Sequence, residues 1–244
     1  MKKSMISNNA FVFNKFPSFF LHSFFLIFIL SFAQCVIAQT PIRKPLEAFN
    51  RIRVANQSQL LLVPSDSSIL DITLQNIPAD KVITEVSDGE FSIRTKGMHN
   101  LPMIKGSLYF SQPLEKISAT LSGWVKSEQK IKSHRLEIEV KMDGYIHVIV
   151  DVDELFIVAG QGSIVQVEGN ARFVQIDANS GATVRTGDLK CTDAQVTSAM
   201  GAEVWLSATK DYTAKALTGG TIYYKTEPSG TFHRTESSGG KILQ

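Results

Sequence analysis

The chain has 244 residues, of which 25 are Lys or Arg and 23 are Asp or Glu, so its formal net charge is +2. The first 38 residues contain three Lys and no acidic residue, which leaves 22 basic and 23 acidic residues in the remaining 206. Such a near-neutral balance lacks the electrostatic footprint of a nucleic-acid-binding protein. The length suits one all-β domain, or a smaller β-unit fused to a repeat.

The N-terminus has the organisation of a secretory signal peptide. Lys2 and Lys3 form a basic start, an apolar run follows at residues 24–30, and small or apolar residues precede a cleavage point after Ala38. A retained membrane anchor is the alternative, but the apolar run is shorter than the ~20 residues that a spanning helix needs. A third interpretation is a lipoprotein processed at Cys35. We therefore predict an exported protein, located in the periplasm, on the outer surface or outside the cell.

Residues 39–116 read as an N-terminal segment rich in short strands. Alternating apolar and polar residues begin at Phe49, and Pro64 and Pro78 lie between the alternating stretches. The dipeptide Asp88-Gly89 favours a type I′ turn, so it predicts a hairpin. No clean repeat is visible in this segment. We expect it to form a cap that covers the exposed strand edge of the structure that follows.

Residues 117–244 repeat themselves in about seven units. The units align on turn positions that are 21, 19, 19, 20, 18 and 20 residues apart. These positions are Ser122, Asp143, Gly162, Gly181, Gly201, Gly219 and Gly239. Five residues before each turn stand, in order, Ile117, Ile138, Ile157, Ile176, Val196, Ala214 and Arg234. Three residues after each turn stand Val125, Ile146, Val165, Val184, Val204, Ile222 and Ile242.

This periodicity predicts an all-β fold, namely a short right-handed parallel β-helix or solenoid with an N-terminal strand-rich capping region. A unit of about 20 residues cannot bury a core alone, so it must stack on its neighbours. Equivalent side chains would then form ladders inside the stack. The alternative is an antiparallel sandwich, which also has many short strands. A sandwich, however, does not require the same residue class at the same place in every unit.

The last unit departs from the apolar pattern. Its inward positions carry Arg234 and Glu236, which would be costly to bury without partners. We therefore expect the final coil to act as a lid. The short strand at Ile242 would leave a partly open edge, which predicts a route to self-association.

Several segments resemble a known family. They are residues 48–54, 86–93 and 113–119, with the Ser-Gly and Thr-Gly turns at Ser180-Gly181 and Thr218-Gly219. They are similar to the family described as putative auto-transporter adhesin, head GIN domain, which occurs in exported proteins of Bacteroidetes-type bacteria. The resemblance covers nearly all of the chain after the leader, although Asp143-Gly144 and Met200-Gly201 replace the commoner Ser-Gly. It implies a β-helix-like fold and an adhesive or envelope role, and it carries no functional residues across.

Candidate catalytic carboxylates are few. Glycan-active β-helices need two carboxylates close together on one face. Asp151 and Glu227 share a column, but three coils without acids separate them, whereas Asp193 and Asp211 fall in adjacent coils. The single cysteine after the leader, Cys191, excludes an internal disulfide and fits a small buried residue. We predict no catalytic residues, and a glycan-active enzyme is the alternative.

The histidines do not indicate a metal site. His99, His134, His147 and His233 are widely separated and show no metal-ligand spacing. Stacking would not bring His134 and His147 together. We therefore predict no metal and no cofactor.

Three aromatic residues are the candidate ligand-binding side chains. Trp124, Trp205 and Tyr223 each adjoin an inward residue, so strand alternation directs them outward. Trp205 and Tyr223 occupy the same place in consecutive units and are expected to stack. The alternative is packing against the N-terminal segment or a second protomer. The sequence thus predicts an exported, non-enzymatic cell-envelope or surface interaction module, adhesin-like, whose partner is an unknown surface glycan or protein. A purely structural envelope component is a further alternative.

Overall fold

The computed structural model describes residues 39–75, 77–96 and 104–244. The predicted signal peptide, its cleavage point at Ala38, the alternative lipidation at Cys35 and the candidate His99 lie outside the described residues. Within the described ranges, no helix is long and apolar enough to span a membrane. The regular structure there is β-strand apart from one 3₁₀ turn at Ala79–Lys81.

Eighteen strands are found in the described part of the chain. The first nine are β1 (Gln39–Pro45), β2 (Arg51–Ala55), β3 (Ser58–Pro64), β4 (Ile69–Gln75), β5 (Val82–Ser87), β6 (Glu90–Thr95), β7 (Ile104–Phe110), β8 (Lys116–Thr120) and β9 (Trp124–Val140). The others are β10 (Tyr145–Ala159), β11 (Ile164–Ala178), β12 (Thr183–Arg185), β13 (Leu189–Ala199), β14 (Glu203–Trp205), β15 (Ala208–Leu217), β16 (Thr221–Tyr223), β17 (Phe232–Ser237) and β18 (Lys241–Leu243).

The strands form a β-solenoid of about six turns, which confirms the predicted fold class. From β8 onward each strand pairs in parallel with its equivalent in the next coil. Ile157 of β10 lies between Ile138 of β9 and Ile176 of β11, and all three side chains are at most 1% exposed. The predicted inward columns are therefore ladders of buried side chains. An antiparallel sandwich is excluded by the parallel register.

At one corner between successive strands of a coil, the two central residues of the turn both have positive φ. Ser180 and Gly181 have φ values of 50° and 72°, and Met142 and Asp143 have values of 51° and 57°. Positive φ at both central positions is the pattern of a type I′ turn. The turns also bond to one another, since Gly162 N donates to Ser180 O at 3.1 Å. These turns stack into one corner of the solenoid.

The strand pairs between neighbouring coils fall into three groups, which we call the sides of the solenoid. On the first side are β2, β6, β8, the C-terminal parts of β9–β11 and β13, and β15 and β17. On the second side are β3, β7, the N-terminal parts of β9–β11, and β12, β14, β16 and β18. The third side comprises residues 130–133, 149–152 and 168–171 and the start of β13. Buried residues alternate with outward ones on all three sides.

The N-terminal segment needs a correction, because the ladder does not start at Ile117. Strand β2 pairs in parallel with β8, placing Ile52 beside Ile117, and β3 pairs in parallel with β9, placing Leu60 beside Val125. On their other edges β2 and β3 pair in parallel with β6 and β7. Residues 51–110 thus supply two coils that the periodicity missed. The later pair, β6 and β7, forms the outer coil.

Antiparallel strands cover this outer coil, in keeping with the expected cap. Strand β5 pairs with β6 through the predicted hairpin, where Asp88 and Gly89 have φ values of 51° and 74°. Strand β4 pairs with β7, and β1 pairs with β4. The N-terminal edge of the solenoid is therefore covered by β4 and β5, which run antiparallel to the strands they pair with.

The last coil, at the C-terminal end, carries two charged residues, Arg234 and Glu236, in place of apolar ones. The guanidinium of Arg234 lies 4.1 Å from the ring centroid of Phe232 and donates to Tyr224 Oη at 2.6 Å and to Glu227 at 2.9 Å. Glu236 accepts a hydrogen bond from Ile242 N at 2.6 Å. Both charged residues are exposed to water. The final coil thus has the features of the predicted lid.

Candidate functional site

Two aromatic rings stack on the outer face of the second side. Trp205 of β14 is in register with Tyr223 of β16, and their ring centroids are 4.7 Å apart with an interplanar angle of 9°. Their neighbours Val204 and Ile222 are fully buried, so the strand alternation fixes the two rings outward. The structure therefore brings Trp205 and Tyr223 together as the sequence predicts.

The two rings belong to a longer row of four side chains, which we call the aromatic strip: Arg185, Trp205, Tyr223 and Leu243. The guanidinium of Arg185 lies 6.0 Å from the Trp205 centroid, at the outer range of a cation–π contact. Leu243 follows Tyr223 in register and is 41% exposed. Because the two rings cover each other, each keeps only one free face, and these faces are flanked by Arg185 and Leu243.

The third predicted residue, Trp124, is not part of this strip. It stacks instead on Tyr145 of β10, with ring centroids 4.4 Å apart and an interplanar angle of 26°. Four coil steps separate Trp124 from Trp205, which corresponds to roughly 19 Å along the axis. Sequence reasoning missed Tyr145, although Tyr145 and Trp124 both stand two residues after their turns.

The carboxylates Asp193 and Asp211 are in register in adjacent coils, as the columns predicted. Asp211 Oδ1 accepts a hydrogen bond from Thr231 N at 2.9 Å, and this bond lowers the pKa of the Asp211 carboxyl. Lys210 lies 3.4 Å from the other carboxyl oxygen. A general acid needs a raised pKa, so Asp211 acts as a structural acceptor for the backbone of the next coil.

Two of the described histidines, His134 and His147, pair with carboxylates of neighbouring coils. His134 Nδ1 lies 2.6 Å from Asp153, and His147 Nε2 lies 2.9 Å from Glu168. His134 and His147 are not brought together. No group of three or more His, Cys, Asp or Glu side chains that could hold a metal ion occurs in the described ranges.

Cys191 is buried within the coil, as predicted. Its Sγ donates a hydrogen bond to Ser207 O at 3.3 Å, and its side chain is 3% exposed. Burial, together with the negative charge of Asp193, raises the pKa of the Cys191 thiol to about 12. The thiolate is the nucleophilic form of cysteine. Cys191 is therefore protonated and unreactive at neutral pH.

The chain is a parallel β-solenoid that carries stacked aromatic side chains on its outer face. The sequence profile of the family described as putative auto-transporter adhesin, head GIN domain, matches residues 48–228. The chain belongs to this family of adhesin-like surface proteins. Membership implies a surface or exported protein.

Solved structures show the same fold at low sequence identity. A putative adhesin from Bacteroides fragilis superposes with a TM-score of 0.73 at 18% identity, covering 84% of this chain and 96% of that one. A putative lipid binding protein from Parabacteroides distasonis gives 0.67 at 17% identity, with the same coverages. A putative adhesin from Parabacteroides merdae gives 0.65 at 13% identity, again covering 84% and 96%. Comparison with curated protein sequences finds no match.

Proposed function

We propose that this protein is an exported, non-enzymatic adhesion module that binds a surface partner through the aromatic strip. The stacked pair Trp205 and Tyr223 is the observation that carries the proposal. Trp, Tyr and Arg are the residue types that dominate the binding energy of protein interfaces. All three stand in one row, held by strands whose inward residues are fully buried. The row is therefore organised before any partner arrives, which lowers the entropic cost of binding.

The geometry of the strip favours a protein partner over a single sugar ring. A sugar that stacks on an aromatic side chain needs an open ring face, yet Trp205 and Tyr223 cover one face of each other. What remains available is a narrow row of ring edges, the Tyr223 hydroxyl, the Arg185 guanidinium and the Leu243 side chain. Such a mixture of apolar surface and hydrogen-bond donors suits a protein segment that lies along the row. A glycan partner is the second outcome that the experiment distinguishes.

The experiment uses the full chain against an array of matrix proteins and surface glycans. Trp205→Ala is compared with Trp124→Ala, which removes the same side chain from the same side of the solenoid but outside the strip. We expect Trp205→Ala to weaken binding of the captured partner by more than tenfold, the size of an interface hot spot of about 2 kcal/mol. Trp124→Ala should bind within about twofold of the parent. Equal binding by all three proteins, with thermal melting unchanged, would remove the strip as the contact site.

A further inference from the structure

A concave surface separate from the aromatic strip lies on the solenoid, at the corner where the third side meets the first. It is an open groove of about 940 Å³. Its floor crosses four successive windings whose backbones are hydrogen-bonded in sequence. Asn50 N donates to Gly89 O at 3.0 Å, Glu115 N to Asn50 O at 2.7 Å, and Glu137 N to Glu115 O at 2.8 Å. Three steps of the stack correspond to roughly 14 Å, so the groove is elongated along the axis.

The groove forms where two windings lack a paired strand on the third side. In the coil that begins at Trp124, the third side is a paired strand segment, residues 130–133. The two windings before it reach the first side through the short stretches 46–50 and 111–115, which lie outside any strand. The wall of the solenoid is therefore recessed at these stretches. The residues that border the recess come from both sides, and Gly89 contributes no side chain to fill it.

Two arginines line the groove, and neither guanidinium is hydrogen-bonded to a carboxylate of the described residues. Arg51 donates to the carbonyl oxygen of Asp88, and no carboxylate of the described residues lies within 4.0 Å of its guanidinium. Arg135 lies 4.2 Å above the ring of Phe156, and its nearest carboxylate oxygen, on Glu154, is 3.9 Å away. These two guanidinium groups keep most of their hydrogen-bond donors available. Free guanidinium groups are suited to bidentate binding of carboxylate or sulfate.

The other charged groups of the lining are largely matched with one another. The Nζ of Lys116 lies 2.8 Å from a carboxylate oxygen of Glu137 and of Glu139, so its positive charge already has anionic partners. His134 pairs with Asp153, and the lining contains two acidic side chains, Glu115 and Glu137, against the three basic side chains Arg51, Lys116 and Arg135. Beyond the rim, Lys130 and Lys132 are exposed on the third side and form no ion pair with a described residue. A near-neutral protein thus presents a local excess of positive charge at this corner.

We propose that this groove binds an acidic saccharide, with Arg51 and Arg135 holding its carboxylate or sulfate groups. Asn50, Gln112 and Ser133 also line the groove and supply hydrogen-bonding groups for sugar hydroxyls. A lipid chain is disfavoured because the only large apolar side chain in the lining, Phe49, is 1% exposed. A single-stranded nucleic acid would need exposed aromatic rings on which bases stack. The site is separate from the aromatic strip, which lies on the second side, so each can fail without the other.

Isothermal titration calorimetry of the full chain tests the proposal. The ligands are tetragalacturonate, a heparin-derived tetrasaccharide and neutral maltotetraose. We expect measurable binding of one or both acidic saccharides, weakened at least tenfold by raising the salt from 50 mM to 500 mM, and no measurable binding of maltotetraose. Binding of maltotetraose equal to that of the acidic saccharides would overturn the proposal. So would binding of inorganic phosphate or of anionic phospholipid vesicles as tight as that of the acidic saccharides.

Matched variants locate the site. Arg135→Gln removes one cation from the groove, and its side chain is 62% exposed, so the fold should tolerate the change. Lys215→Gln makes the same change in net charge at an exposed position on β15, far from the groove. We expect Arg135→Gln to weaken the acidic saccharide at least fivefold and Lys215→Gln to alter it less than twofold. Arg51→Gln should match Arg135→Gln if its melting temperature is unchanged. Equal effects of Arg135→Gln and Lys215→Gln would show only general electrostatic attraction and refute the groove.

Discussion

The buried ladder of isoleucines gives the sharpest test of the fold. Ile157 is 1% exposed and lies between Ile138 and Ile176, so Ile157→Ala removes three carbon atoms from a site that water does not reach. At roughly 0.8 kcal/mol for each buried carbon, the lost transfer free energy is about 2.4 kcal/mol. The cavity adds to this cost because paired strands on both sides restrict collapse. We expect the free energy of unfolding to fall by about 3 to 4 kcal/mol.

The control is the same substitution in the same strand. Ile149 also lies in β10, but its side chain points outward and is half-buried, so Ile149→Ala should cost about 1 kcal/mol or less. For a domain of this size, 1 kcal/mol corresponds to roughly 2 to 4 °C in melting temperature. Urea denaturation followed by circular dichroism, with thermal melting, measures both variants. Equal losses, or a larger loss for Ile149→Ala, would refute the stacked interior.

Three further predictions concern single sites. A thiol reagent at pH 8 should not label Cys191 in the native protein, because the pKa of its thiol is raised to about 12. The reagent should label Cys191 only after unfolding, and rapid labelling of the folded protein would contradict this. Gly169→Ala should destabilise the protein by roughly 1 to 3 kcal/mol, because Gly169 has a φ of 109° and a Cβ there would collide with Val150 O. The control Gly187→Ala should leave stability unchanged, because its Cβ would meet only Lys225, at 3.6 Å. Hydrogen bonds from Lys116 and Lys141 lower the pKa of the Glu139 carboxyl from 4.5 to about 2. Its contribution to the free energy of unfolding is therefore complete above pH 4.5 and is lost as the pH falls towards 2. Glu139→Gln should make stability depend less on pH in that window, and an unchanged pH profile would count against the pairing.

The inward columns were predictable because parallel stacking demands the same residue class at the same place in every coil. Ile138, Ile157 and Ile176 stand at intervals of 19 residues, and the structure places them in register. The preceding ladder partner of Ile117 is Ile52, which lies 65 residues earlier in the chain. A search for a fixed period cannot find that pairing, because β3, the antiparallel strands β4 and β5, and the outer coil formed by β6 and β7 lie between β2 and β8 in the chain.

The candidate sites were predictable only in part. Alternation alone directs Trp205 and Tyr223 outward, and their shared place in the repeat indicates that they stack. The groove between the third and first sides was not predictable, because it depends on where the chain enters each winding. Arg51 and Arg135 are 84 positions apart in the sequence, and only the parallel register brings them to one corner. Charge counted along the whole chain conceals such a local excess.

The two ends of the solenoid avoid uncontrolled strand addition in different ways. At the N-terminal end, β4 and β5 pair antiparallel with β7 and β6, so the edges of the outer coil are already occupied and a further parallel coil cannot pair with them. At the C-terminal end, β17 and β18 have no further strand paired with their outer edges among the described residues. There the inward positions carry Arg234 and Glu236, and a new coil laid on this end would have to bury both charges. Charge on an edge strand is a known deterrent to association. Self-association through this edge stays a prediction, and such a contact would have to offset the cost of burying the two charges. An adhesion module that displays its binding residues along its sides, as proposed here, has reason to keep its ends from growing.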